Sequence, residues 1–323
     1  MTLQKFDTVL AEAFEEYIYG ESPEELYEPI RYIMALGGKR IRPLLTLVTA
    51  SLFAENWENA LSPAMAVEVF HNFTLMHDDI MDQAPLRRGK ATVHSKWDTS
   101  RAILSGDVML VAAYELLSRM EEKHLKVALK RFNRTAAEVC EGQQLDMLFA
   151  DRQDVTKEDY LEMIRLKTSV LVGFAMELGG LAAGADESTC RALYAIGENL
   201  GLGFQQTDDI LDVYADPEVF GKRVGGDIVE NKKTWLLLRA VEKSAGTPFE
   251  KDLLGWLFVT DADAKVRGVR SIYDALDIRS EAAAVAEDFF RKAEEGVAGL
   301  EVPRPGQKEL LLTIIQQIRT RNK

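Results

Sequence analysis

No proline interrupts the chain between Pro85 and Pro217. Proline lacks a backbone donor and clashes with the preceding helical turn, so a gap of this length permits long uninterrupted helices. Apolar residues recur at spacings of three and four in Met65, Val69, Phe73, Met76 and Ile80, and the same period runs through 101–120, 125–149, 158–182 and 189–213. Nothing alternates with period two, which predicts roughly a dozen helices and no sheet. Ser22-Pro23-Glu24-Glu25 places a cap before a proline-led acidic first turn, and Asp186-Glu187-Ser188 opens another helix. The central segments carry Ala, Leu, Val and Met on more than one face, as helices surrounded by helices do. The glycine-bearing stretches 37–38, 179–184 and 221–226 read as turns or helix ends. No Gly/Ser or Pro-rich linker, low-complexity tract or fixed-period repeat divides the chain, so the expected fold is all-α: a large single-domain helical bundle over 1–323.

Composition narrows the function classes. A hydrophobic fraction of 47% in 323 residues supports a sizeable core. Lys plus Arg total 39 against 52 Asp plus Glu, a net charge of −13, which is the wrong sign for general binding to nucleic acid or anionic membrane. Cys140 and Cys190 sit in apolar helix-like stretches without CxxC or Cys/His spacing, so neither a disulfide framework nor a zinc site is expected, and a reducing cytoplasm fits. The acidic, amphipathic start lacks signal-peptide character, and the longest apolar stretch, Leu44 to Ala54, is too short to span a bilayer.

The anomaly is Asp78-Asp79-Ile80-Met81-Asp82, at the end of an apolar helix beginning near Ser62. Asp78 and Asp82 are i and i+4 and share a face, and the negative C-terminal end of the helix dipole makes three carboxylates there unfavourable. A lone cluster reads as a solvated acidic end. The pattern returns far along the chain as Asp208-Asp209-Ile210-Leu211-Asp212, again ending an apolar helix. Two such faces meeting across a bundle would repel unless cations sat between them, and hard oxygen ligands of this kind suit Mg²⁺, which keeps waters and binds substrate phosphates. Neither cluster has the central Gly and closing Glu of an EF-hand loop.

A magnesium-diphosphate site also needs direct cationic contacts. Gly37-Gly38-Lys39-Arg40-Ile41-Arg42-Pro43 packs three positive charges into a glycine-led turn entering a helix. Arg87-Arg88-Gly89-Lys90 follows the first cluster closely enough to fold back over it, and His71 precedes Asp78 by seven residues, two helical turns. Lys167-Thr168 adjoins the apolar run Val170 to Leu178, where a buried ammonium needs a counter-charge. Gln205 lies three residues before Asp208. Gly221-Lys222-Arg223-Val224-Gly225-Gly226-Asp227 and Asn231-Lys232-Lys233-Thr234 follow the second cluster.

These motifs closely resemble the trans-isoprenyl diphosphate synthases, the polyprenyl synthetase family: GGKRIRP, HDDIMD followed by LRRG, Gly106-Asp107, Gly142-Gln143-Gln144-Leu145-Asp146, Lys167-Thr168, QQTDDILD and GKRVGGD with its trailing lysines, spread from Gly37 to Thr234. The resemblance implies an isoprenoid-synthase helical bundle around a central apolar cavity, acting as a homodimer. It also implies Mg²⁺, about three ions with bound diphosphate, held by Asp78, Asp82 and Asp208, with Asp79, Asp209 and Asp212 supporting. Lys39, Arg42, His71 and Arg88 would hold isopentenyl diphosphate; Arg87, Lys167, Lys222 and Lys232 would hold an allylic diphosphate of C5 to C15. Thr168 and Gln205 would orient dipoles toward an allylic cation, and Gln143 and Asp146 would support the metal shell. The implied reaction is head-to-tail condensation, with diphosphate departure, attack by the isopentenyl double bond and proton loss. A noncatalytic subunit of a hetero-oligomeric synthase would lack part of a cluster or its lysines, and a terpene cyclase would not need the isopentenyl-binding residues.

The growing tail would run past side chains on the turns before Asp78. Phe73 lies about 7.5 Å deeper along the helix axis and is a candidate floor, with Phe70 or a residue from another helix as the alternative; Thr74 is small and no insertion interrupts the cluster. In the family this pattern accompanies C20 products, with C15 second. The C-terminal Arg319, Arg321 and Lys323 could close over isopentenyl diphosphate, but read first as a solvated basic tail.

Overall fold

The computed structural model describes residues 2–215 and 224–321. Its helices of eight or more residues are α1 (Leu3–Glu16), α2 (Glu24–Ala35), α3 (Ile41–Ser51), α4 (Leu61–Met81), α5 (Thr99–Ser118), α6 (Glu122–Asp151), α7 (Lys157–Ile164), α8 (Val170–Ala182), α9 (Glu187–Tyr214), α10 (Trp235–Ser244), α11 (Pro248–Trp256), α12 (Ala262–Ala275), α13 (Ile278–Gly299) and α14 (Lys308–Arg319). The fold is all-α in class, and the three-and-four periodicity locates the long central helices. No helix among the described residues is long and apolar enough to cross a membrane.

Three local expectations are corrected. A two-stranded antiparallel hairpin, β1 (Leu86–Arg87) and β2 (Lys90–Ala91), is present where the periodicity predicts no sheet. Its strands are too short to show alternation, and its turn residues Arg88 and Gly89 both take positive φ, 52° and 73°, as a twist-matched two-residue turn requires. Ser22 is not the cap of α2; Pro23 holds that position without a side-chain hydrogen bond. The 179–184 stretch is a helix end as expected: α8 stops at Ala182, Gly184 takes φ 81°, and Gly179 in the last turn leaves room for the Thr46 carbonyl oxygen of α3, which a Cβ would meet at 2.1 Å. The segment 157–182 is not uniformly α-helical: Arg165–Ser169 form a π-helical bulge between α7 and α8.

Two compact units are present. The first comprises Met1–Ala136, Leu171–Gly197 and Glu295–Ile314. There α3 is buried from Pro43 to Ser51, and α5 lies along α4 so closely that a Cβ on Gly106 would meet the His77 ring at 2.2 Å. Phe70 packs edge-to-face on Phe132, and Phe132 lies tilted against Phe174, with centroids 5.1 and 5.8 Å apart. Burying an aromatic of this size stabilises the fold by about 1.5–3 kcal/mol.

Glu177 of α8 is an exception in this apolar surrounding. It is buried and ion-paired with Arg131 at 3.0 Å, with Glu187 and Arg134 also near. Burial outweighs the guanidinium and pushes its carboxyl from 4.5 to about 7. Between those values the folded chain holds a proton that the unfolded chain has lost, so this residue's contribution to stability falls as pH rises through the window. The denaturation midpoint of the native protein is therefore expected to drop relative to Glu177→Gln between about pH 5 and pH 8. Parallel pH profiles of the two would contradict this.

The second unit comprises Ala137–Val170, Glu198–Glu294 and Ile315–Lys323. Its core gathers Tyr160, Met163, Ile164, Val213, Trp235, Leu236, Leu253, Val269, Tyr273 and Ile278. A reciprocal capping box starts α7, with Asp159 N–H donating to Thr156 Oγ1 and Thr156 N–H to Asp159 Oδ2, both at 3.0 Å.

Candidate active site

In the first unit, α4 ends at its acidic cluster, and Gln83 closes the helix in the left-handed region at φ 50°. The middle aspartate, Asp79, is buried, whereas Asp78 is partly exposed and Asp82 exposed. Arg87, carried back by the hairpin, donates from Nε to both Asp79 oxygens at 2.9 Å, and its Nη2 lies 3.6 Å from Asp78 Oδ2. Burial raises the Asp79 carboxyl, and Arg87 opposes that shift. The hairpin thus supplies the positive charge that the helix end lacks.

The same unit gathers the predicted cations Arg42, His71 and Arg88. Arg42 Nη1 donates to His71 Nε2 at 3.1 Å. Burial, then Arg42, Arg88 and Arg87, holds His71 well below its usual range, so it is neutral and accepts this bond. Gly38, at φ 141°, leaves room for the Arg88 guanidinium, which a Cβ there would meet at 2.7 Å. Beneath them Glu68 is buried on α4, three residues before His71; its carboxyl is raised by burial and lowered by Arg42. Sequence reasoning missed Glu68, although a lone charge within the apolar run Met65 to Phe70 signals it. Arg42 Nε is buried without a hydrogen-bond partner among the described residues, a donor left over for an anion. Phe73 packs its ring against Phe70 and His77 at 5.6 and 4.7 Å, and Thr74 donates to the His71 carbonyl.

In the second unit the end of α9 repeats the pattern. Asp209 is buried, while Asp208 and Asp212 are partly exposed. Tyr160 donates its hydroxyl to Asp209 Oδ2, and Gln205 Nε2 donates to Asp209 Oδ1 at 2.9 Å. Burial pushes the Asp209 carboxyl to about 6 against these donors and Lys232. Thr168 Oγ1 in turn donates to Gln205 Oε1 at 3.2 Å. Asp212 Oδ2 accepts from Asp227 N–H at 3.0 Å.

Lys167 finds its counter-charge in Asp146, at 2.6 Å, and Lys232 approaches the same carboxylate at 3.5 Å. Burial would raise Asp146, but the two ammonium groups together hold it below the usual carboxylate range. The π-bulge presents Lys167 and Thr168, and glycines of two other helices support it. A Cβ on Gly142 of α6 would lie 2.2 Å from Lys167 N, and one on Gly201 of α9 would lie 2.6 Å from Ser169 Cα. Lys222, with Gly221 and Arg223, lies outside the described residues, as does Lys323. Arg319 and Arg321, the described part of the basic tail, are held against the fold rather than left free in solvent. Arg321 stacks on Phe204 with its guanidinium 3.8 Å from the ring centroid and donates to Asp208 Oδ1 at 2.8 Å, while Arg319 pairs with Glu294 and Glu287.

The donor set suits a hard cation. Each cluster keeps its middle carboxylate buried and hydrogen-bonded and leaves its first aspartate partly exposed beside an arginine. Among the described residues no three Asp, Glu, His or Cys side chains converge on one point. One or two carboxylates per ion, with water and phosphate oxygens completing the octahedron, is how Mg²⁺ binds at phosphate-transfer sites. Gln143 Nε2, buried without a hydrogen-bond partner among the described residues, is a further donor for such oxygens.

Comparison with known proteins matches residues 23–276 to the polyprenyl synthetase family model. A geranylgeranyl diphosphate synthase of Methanosarcina mazei is 44% identical over 233 residues, 72% of each chain. A geranylfarnesyl diphosphate synthase of Natronomonas pharaonis is 36% identical over 287 residues, 83% of this chain and 82% of its own. A crystal structure of a geranylgeranyl pyrophosphate synthase superposes with a TM-score of 0.95 at 43% identity, covering 100% of both chains.

Proposed function

This chain belongs to the polyprenyl synthetase family and is a short-chain trans-prenyltransferase; from that premise we propose that it condenses isopentenyl diphosphate with an allylic diphosphate to give the C20 product. The observation that carries the reading is the arrangement repeated at the ends of α4 and α9: a buried, hydrogen-bonded middle aspartate and a partly exposed first aspartate beside a cation.

Asp78, Asp82 and Asp208 would hold Mg²⁺, with Asp79, Asp209 and Asp212 supporting. Held there, the ions would supply charge neutralisation for the departing diphosphate. Lys39, Arg42, His71 and Arg88 bind isopentenyl diphosphate, and the neutral His71 directs the Arg42 fork toward the anion. Arg87, Lys167, Lys222 and Lys232 bind the allylic diphosphate, and Asp146 keeps the ammonium groups of Lys167 and Lys232 in place. Thr168 and Gln205 orient dipoles toward the allylic carbon as positive charge develops, and apolar walls exclude the water that would capture it as an alcohol. The enzyme works as one synthase domain over 1–323, in the cytoplasm and as a homodimer; Ile103, Leu104 and Val111, exposed along α5, support the dimer.

Incubation with labelled isopentenyl diphosphate, Mg²⁺ and C5, C10 or C15 primers tests the reading by chain length. C20 is expected from each primer, and no elongation of any of them would refute the function. Phe73→Ala, which opens the position about 7.5 Å along the axis from the cluster, is expected to shift the product to C25 or longer. An unchanged distribution would remove Phe73 as the floor.

A further inference from the structure

Tyr160, Asp209, Gln205 and Thr168 form a hydrogen-bonded chain whose sense is fixed. Tyr160 is 1% exposed and belongs to the core of its unit, so its hydroxyl has no water to turn to. A carboxylate only accepts, so both groups facing Asp209 donate: the Tyr160 hydroxyl to Oδ2 and the Gln205 amide to Oδ1. With its NH₂ committed, Gln205 turns its Oε1 to Thr168, and an amide oxygen also only accepts. The single hydroxyl proton of Thr168 is therefore directed at Gln205, and both oxygen lone pairs are turned away from that contact.

We propose that Tyr160 is a positioning residue for the prenyl-transfer step, holding Asp209 in the orientation that aligns Gln205 and so aims a Thr168 lone pair, rather than its proton, at the developing allylic cation. The inference rests on the reading that Thr168 and Gln205 line the allylic site. Electrostatics explain the size of the effect. A lone pair facing positive charge in a water-free pocket stabilises it, whereas a hydroxyl proton in the same place opposes it. Without the phenol, buried Asp209 loses its Oδ2 donor and rotates to seek another, which draws its Oδ1 away from Gln205 Nε2. The Gln205 amide is then free to flip and offer NH₂ to Thr168, which reverses the hydroxyl. Tyr160 touches no substrate in this account and acts only through the chain.

Steady-state kinetics of Tyr160→Phe, Thr168→Val and the double variant, with unfolding temperatures measured alongside, test the proposal. Tyr160→Phe is expected to lower kcat by about 10–100-fold, the range seen when an outer hydrogen-bond partner of a site is lost. KM for both diphosphates should stay within about 3-fold, since a positioning defect is felt mainly in the transition state. The double variant should be no slower than Thr168→Val alone, because both changes remove the same oriented dipole. An unchanged kcat in Tyr160→Phe, a loss confined to KM, or additive losses in the double variant would overturn the proposal. A native chain that elongates no primer, or a Thr168→Val that retains full kcat, would instead overturn the reading of the site, and the proposal with it. If Tyr160→Phe does not fold, Gln205→Met cuts the chain one link further along. Loss of kcat that is non-additive with Thr168→Val would then support the proposal, and additivity would overturn it.

Discussion

Neutralising Asp78 and Asp208 together, as Asp78→Asn/Asp208→Asn, is expected to lower kcat by at least about 10³-fold while leaving the fold intact. Asparagine keeps the shape and an accepting oxygen, so the Arg321 bond to position 208 survives, and both residues are only partly buried. What disappears is two negative charges where, in the proposed reaction, cations bound for the departing diphosphate would sit. Metal stabilisation of such a leaving group lowers the barrier by several kcal/mol, and each step of about 1.4 kcal/mol is tenfold in rate. The Mg²⁺-dependent binding of inorganic diphosphate, followed by calorimetry, should weaken in parallel, and this readout does not depend on turnover. Undiminished turnover, or unchanged diphosphate binding, would dismiss both clusters as metal ligands.

What the sequence disclosed follows from the range of the forces involved. Helix period is a local property, and the proline-free stretch from Pro85 to Pro217 lets it persist, so α5, α6 and α9 are legible nearly to their ends. The aspartates are legible because their arrangement opposes the helix dipole twice, which stability alone does not favour. The hairpin is hidden by its length, and Arg88 gives little warning of a positive φ. The π-bulge is hidden because one register shift in the backbone ladder leaves the apolar pattern nearly unchanged. Tyr160 reads as an ordinary core aromatic on α7, and its partner Asp209 is 49 residues away. Arg321 reads as tail because nothing in its neighbours announces Phe204 or Asp208.

The two helix ends solve one electrostatic problem by different means. At α4 the buried aspartate is balanced by a full charge, the Arg87 guanidinium, delivered by a hairpin eight residues away. At α9 the buried aspartate is held by the neutral donors of Tyr160 and Gln205, and burial leaves its carboxyl near 6. A bidentate ion pair resists reorientation more strongly than two hydrogen bonds from uncharged donors to a carboxylate. Around Asp209, geometry therefore depends on packing, and the packing most exposed to a single substitution is at the bulge.

Gly142→Ala is expected to lower kcat by about 10²-fold or more at a modest loss of stability. A Cβ at this position would lie 2.2 Å from Lys167 N, 2.6 Å from Lys167 Cα and 2.7 Å from the Leu166 carbonyl carbon. All three are backbone atoms, so no side chain can swing aside, and reaching an ordinary contact of 3.4 Å requires the bulge or α6 to retreat by more than an ångström. On stability, opposing effects partly cancel. Alanine improves helix propensity by about 1 kcal/mol, while forcing a methyl into a packed interface costs about 1–3 kcal/mol. On activity nothing offsets the displacement, because it moves Lys167 and Thr168, the two residues proposed to face the diphosphate and the cation. Lys167 would be drawn from Asp146, and Thr168 from Gln205 at 3.2 Å, beyond hydrogen-bonding range. An error of about 1 Å in a reacting geometry is enough for a hundredfold loss. The thermal midpoint and kcat of the variant should thus dissociate, with kcat falling much further than stability predicts. Full activity in Gly142→Ala would show that the bulge tolerates displacement and that its position does not set the rate.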